Sequence, residues 1–296
     1  MRFGILSVLT ALYFSAVCVV ATTCTPESQP NPIAGTKFKL DPLTGTANGT
    51  LAIILIPIDE ALKIIGSKYT IQTGAYRELV PAMPKDAYPA FLQAAIEHDV
   101  QQADGVKLPD FTRVSIEFPF LTIPAANPSK LFRLIKTQLV TASNAAAVSQ
   151  SASYGANVTS ATFDPPCDPY AYTRDGNANF LQGFKKDDSA GVGIQFDSKW
   201  ETITSPDGQM PWPVSFFVNI TNQPSFTVPA HDCLVQLTSF DDNISQGQWS
   251  PVVVKGYVDV AGDLYNGGDG KKWDDVWGIQ VDHTFIRLHH VNCSKL

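Results

Sequence analysis

Charge is scarce in this chain, and positive charge is scarcer than negative. Asp, Glu, Lys and Arg make up 17% of the 296 residues, with 21 Lys+Arg against 28 Asp+Glu and a formal net charge of −7. No basic cluster offsets the deficit, because Lys185-Lys186 and Lys271-Lys272 are each followed closely by two aspartates. Nucleic acid and anionic membrane surfaces are thereby excluded as natural partners. Cysteine is also rare, and no two of the five have the close spacing of zinc ligands. Beyond residue 20 no apolar run is long enough to cross a bilayer. The chain has no Gly-x-Ser-x-Gly, no His-Glu-x-x-His and no Walker loop. Gly191-Val-Gly193 lacks the third glycine of a dinucleotide fingerprint. Nothing in the sequence implies a cofactor or a metal.

The N-terminus is the most informative segment present. Met1-Arg2 opens a run that is apolar from Gly4 to Val20 and ends in the small residues of Val19-Val20-Ala21. That pattern predicts a secretory signal peptide over 1–21, and hence an extracellular protein. Cys18 leaves with the signal, so Cys24, Cys167, Cys233 and Cys293 remain as an even set in an oxidising compartment. Two disulfides are expected, in any of three pairings. Asn48, Asn157, Asn219, Asn243 and Asn292 each open an Asn-x-Ser/Thr sequon, and each must be exposed if it carries a glycan.

Thr22 to about residue 43 reads as an extended lead-in, and 44–296 as a single domain. Leu51–Ile56 is a strand by its apolar run, followed by a helix from Asp59 to Ile65 that stops at Gly66. Phe91, Leu92, Ala95 and Ile96 have helical spacing and predict an amphipathic helix over 88–100. Phe111–Phe120 alternates as a strand, and 143–151 is Ala-rich and helical. Strands are expected over 191–196, 214–220, 233–237, 252–260 and 284–291, with long loops at 164–179 and 263–275. The fold class is α+β, a large and mostly antiparallel sheet or barrel.

Candidate chemistry is concentrated on one strand face. Arg113, Ser115 and Glu117 point opposite to Val114, Ile116 and Phe118. A half-buried strand ordinarily turns such a face to water. The same alternation suits a strand lining a polar pocket, where Glu117 moves a proton and Arg113 and Ser115 hold a substrate, Arg113 by gripping the substrate's carboxylate. His283, His289 and His290, and the aspartates at 263, 269, 274 and 275, are read as loop or surface groups, with no metal site. Trp212, Trp249, Trp273 and Trp277 are further candidates to line a pocket.

Three segments together resemble the acetoacetate decarboxylase-like superfamily, in particular its divergent secreted fungal members. They are Leu51–Gly66, Ser115-Ile-Glu-Phe-Pro-Phe-Leu121, and Tyr154-Gly155 after the Ala-rich stretch. The resemblance implies a mostly antiparallel, cone-like β-barrel with an internal cavity and short flanking helices. It also implies decarboxylation of a β-keto acid through a lysine imine. Set against the family's Gly-Arg-Glu-x-x-Gly-x-Pro-Lys signature, the arginine falls at Ser151, the glutamate at Ala152, the proline at Asn157 and the lysine at Val158. Valine forms no imine. The expectation is therefore a small-molecule pocket without Schiff-base chemistry. It would act on a keto- or polyketide-like acid as a lyase, isomerase or cyclase, or alternatively bind a ligand without turnover.

Overall fold

The computed structural model describes residues 28–296 apart from 39–41, 103, 125, 186–192, 205–209, 231, 241–243 and 266–267, and only the backbone of 268–269 and 289–290. The expected signal peptide, Cys24 and Asn243 lie outside the described residues. In chain order the elements begin β1 (Leu43–Pro57), α1 (Ile58–Ile65), β2 (Thr70–Ile71), α2 (Thr73–Leu79), β3 (Ala87–Gln101), β4 (Phe111–Thr122) and β5 (Phe132–Thr141). They continue α3 (Ala145–Ser153), β6 (Asn157–Asp164), β7 (Ala171–Tyr172), β8 (Asn179–Lys185), β9 (Ile194–Thr202) and α4 (Val214–Thr221). The last are β10 (Ser225–Phe226), β11 (Asp232–Ser239), β12 (Val252–Gly262) and β13 (Gly268–Asn292).

Nine strands close into a barrel in the order β5–β6–β8–β9–β12–β13–β1–β3–β4, with β4 pairing back onto β5. Within that ring only β5–β6 is parallel. β10 and β11 bridge β5 to β13 outside this barrel, and so close a second ring of seven strands, β5–β10–β11–β13–β1–β3–β4. The two rings share five strands, and each of those strands gives one face to each ring. Alternation along the strand then sorts the side chains. Ala52, Ile54, Leu92, Ile116 and Phe118 join Phe196, Trp200 and Val258 in the apolar core of the nine-stranded barrel. In β3 and β4 the alternate residues, among them Glu97, Arg113, Ser115 and Glu117, are buried on the opposite face, toward the smaller ring.

Two predicted elements take the other form. Residues 88–100 are not a helix but lie in β3, which is buried along nearly its whole length. Phe91 and Ala95 fall on one face of a strand and Leu92 and Ile96 on the other. A strand enclosed on both sides needs both pairs, so the helical spacing is coincidental. Residues 214–220 are not a strand but α4, because Phe216, Phe217, Ile220 and Thr221 form a buried i, i+1, i+4, i+5 stripe that starts after Pro213. The loop expected over 263–275 is largely the start of β13, whose Lys271–Trp273 pairs in register with Val258–Val260. Helix α1 does end at Gly66, but its N-cap is Pro57 and not Asp59.

Candidate functional site

The alternation in β4 places Arg113, Ser115 and Glu117 inside the seven-stranded ring, where their exposures are 7%, 0% and 0%. Register then fixes their neighbours. β3 sets Gln93 beside Ser115, Ala95 beside Arg113 and Phe91 beside Glu117. β1 aligns Ala47 with both Glu97 and His283, so a small residue separates these two groups. Arg133 enters from β5, Arg287 from β13 and Gln236 from β11.

Two carboxylates anchor the cluster. Glu97 Oε1 lies 3.1 Å from Arg113 Nη2 and 2.7 Å from Arg287 Nη2. Arg113 also donates to Gln93 Oε1 at 3.0 Å, and Arg287 Nε donates to Gln236 Oε1 at 3.0 Å. Glu117 accepts from Ser115 Oγ at 2.7 Å, and its other oxygen sits 2.9 Å from Arg133 Nε in a close but poorly aligned ion pair. Burial pushes the Glu97 carboxyl up, yet the Arg113 and Arg287 guanidiniums outweigh it and hold the group below its ordinary value. Burial pushes the buried imidazole of His283 down to about 4, so it is neutral at pH 7. Glu97 Oε2, Arg113 Nε and both His283 ring nitrogens have no hydrogen-bond partner among the described residues.

A cleft reaches this cluster between α3 and the β10–β11 segment. Arg113, Gln138, Tyr154, Asp232, Cys233 and Arg287 are among its lining residues. Its cavity volume is only about 30 Å³, so the cleft is a narrow slot. The slot is braced by Thr227 Oγ1 donating to Tyr154 O at 2.8 Å and by the disulfide Cys233–Cys293. Cys167 is disulfide-bonded as well.

Of the residues singled out from the sequence, Arg113 lines the cleft, whereas Ser115 and Glu117 stand behind it. Glu97, Arg133 and Arg287 were missed. Arg133 and Arg287 each stand between apolar neighbours in a strand-forming run, and Glu97 falls within the segment whose spacing reads as a helix. Val158 is partly buried against a small apolar cluster that includes Val140 and Phe285, and it pairs in register with Gln138 of the cleft wall. No buried residue among those described is a lysine. Trp212, Trp273 and Trp277 do not reach the charged cluster but line a separate cleft, and Trp249 lines a third with Tyr170 and Tyr172. Among the sequons, Asn157 and Asn292 are exposed and Asn219 is partly exposed. Asn48 is only 4% exposed, and the Nδ2 that a glycan would occupy donates to Ser28 Oγ at 3.3 Å.

No family model and no curated protein matches the sequence. Among solved structures, the enduracididine biosynthesis enzyme MppR, complexed with the condensation product of pyruvate and imidazole 4-carboxaldehyde, matches with TM-score 0.52 and 11% identity. The match covers 91% of this chain and 97% of that one. The same enzyme with HEPES buffer bound matches with TM-score 0.51 and 10% identity, over 94% and 98% of the two chains. An acetoacetate decarboxylase from Legionella pneumophila matches with TM-score 0.36 and 10% identity, over 86% and 84%. What is shared at such identities is the fold. The expected mostly antiparallel barrel with short flanking helices is observed, and MppR shares its fold.

Proposed function

We propose that the charged ring binds a small carboxylic acid through Arg113 and Arg287, in an exported glycoprotein that does not use Schiff-base chemistry. One observation carries this reading. The buried cluster holds three guanidiniums, Arg113, Arg133 and Arg287, against two carboxylates, Glu97 and Glu117, and its histidine is neutral. An excess positive charge in a low-dielectric interior is costly, and a ligand carboxylate arriving at the two cleft-lining arginines would cancel it. The solved enzyme of this fold that holds a pyruvate condensation product supports the same class of ligand. Loss of the imine route is supported by Val158 standing where the family has lysine and by the lack of a buried lysine among the described residues. Export is supported by the apolar N-terminus, the disulfides and the exposed sequons.

A catalytic version of this site centres on Glu97 and not on Glu117. Glu117 is held by Ser115 and by its ion pair with Arg133, whereas Glu97 pairs through Oε1 with the two cleft-lining arginines and leaves Oε2 without a hydrogen-bond partner among the described residues. Thermal melting with pyruvate and with acetoacetate tests the binding claim. At least one acid should raise the Tm, Arg287→Gln should abolish the rise, and Arg287→Lys should restore part of it. Failure of both acids to shift the Tm would overturn the reading. Intact mass after acetoacetate and borohydride should show no adduct, and a reduction-dependent adduct would mean that a lysine elsewhere performs the family's chemistry.

A further inference from the structure

None of the five tryptophans takes part in the charged ring. Trp212, Trp273 and Trp277 line a second cleft on the β1–β13 surface, together with apolar residues that include Leu55, Pro84 and Pro211. This cleft is far roomier than the slot, with about 400 Å³ open to the centre of a water molecule. Its charged lining groups are two aspartates, Asp274 and Asp275, whose side chains are 70% and 82% exposed. A bulge in β13 presents them. Val276 pairs with Gly256 and Trp273 with Val258, so both aspartates stand opposite the single residue Tyr257. Asp275 adopts φ 58° there. Bulges of this kind re-aim side chains, and a non-glycine residue at positive φ is uncommon.

The chemistry of the walls selects a ligand. A saccharide would need donors as well as acceptors, and beyond the indole N–H groups the lining side chains offer carboxylates alone. A cation needs only π faces and negative charge, which is what this cleft has. The chain supplies its own example. Lys255 Nζ reaches in from β12 to lie 2.7 Å from Asp275 Oδ1 and 5.3 Å from the centroid of Trp277. Lys272 Nζ pairs with Asp274 at 3.2 Å, and Lys271 Nζ, paired with Glu60, stands 5.4 Å from the centroid of Trp273. The net charge of −7 draws cations to the surface as well.

We propose that this cleft is a binding site for an organic ammonium ligand, its cationic head between Trp277 and Asp275 and its apolar body against Leu55, Pro84 and Pro211. Lys255 is then an internal competitor for the same carboxylate and indole. The molecule would carry two sites of opposite preference, an arginine-lined slot for an acid and a tryptophan-lined cleft for a base.

Tryptophan fluorescence of the full protein, titrated with choline and with its uncharged isostere 3,3-dimethylbutan-1-ol, tests this. Choline should give a saturable change, and the alcohol should bind about tenfold more weakly or not at all. Asp274→Asn with Asp275→Asn should weaken choline by about tenfold, since asparagine keeps the positive φ and only the charge is lost. Lys255→Met should tighten choline binding while leaving the alcohol unchanged. The proposal fails if the alcohol binds as tightly as choline, if methyl glucoside gives the saturable change instead, if Lys255→Met has no effect on choline, or if no titrant saturates. Unchanged melting temperatures in these surface variants keep each outcome interpretable. The acid-binding reading stands or falls separately, because the two clefts share no lining residue.

Discussion

At the residue scale, the buried cluster ties stability to pH through His283. Its imidazole titrates at about 4 in the folded protein against 6.5 for the free group, chiefly because burial excludes the charged form. Asp282 and Glu97 oppose that shift, while Arg113 and Arg133 add to it. As pH falls below about 6.5 the unfolded chain takes up a proton that the folded chain refuses, so stability declines down to about pH 4. The loss from this group is about 3 kcal/mol. Glu97, depressed by its arginines, contributes stability that is present above the ordinary carboxylate range and lost as pH falls through its lower folded value. Denaturant midpoints from pH 7 to pH 4 should therefore drop more steeply in the native protein than in His283→Gln, and parallel slopes would contradict a buried neutral histidine. The alternation of Arg113, Ser115 and Glu117 was legible in the sequence because it is local. Their partners were not, since the Arg287–Glu97 bond joins residues 190 apart in the chain.

At the element scale, β1 owes its place to glycine. A Cβ on Gly49 would sit 2.2 Å from Ala94 O and 2.5 Å from Ala95 Cα, so β1 and β3 could not keep their register. Gly49→Ala should cost about 3 kcal/mol or more, as overpacking against rigid backbone does. A Cβ on Gly74, in α2, would meet nothing within 4 Å, and Gly74→Ala should be neutral or stabilising by up to about 1 kcal/mol. Urea unfolding of the two variants checks the contrast, and equal stabilities would mean that β1 and β3 can part at little cost. The same two-sided burial explains why the sequence of β3 has the spacing of a helix. Helical and strand periodicities differ only when one face is polar, and here both faces are enclosed. α4 shows the reverse, because its Val, Phe and Ile content favours strands until packing on one stripe decides otherwise.

At the scale of the whole molecule, the second ring depends on short pairings. β10 contributes only two residues to each neighbour, whereas β11 pairs with β13 over seven residues, and the Cys233–Cys293 bond fastens the end of that pairing. The bond closes a loop spanning 60 residues, which corresponds to about 4 kcal/mol of denatured-state entropy. The Cys233→Ser, Cys293→Ser double variant should lose stability of that order and, because Cys233 lines the slot, bind acids more weakly. Unchanged urea midpoints would show that strand pairing alone closes the ring. The sequence by itself determined the strand-rich class, the alternation in β4 and the cysteine set. Each of these rests on composition or on residues within a few positions of one another. Only the tertiary structure decided that the five shared strands have two insides, one apolar and one charged. That outcome depends on the long-range pairings β4–β5 and β11–β13, which no local pattern encodes.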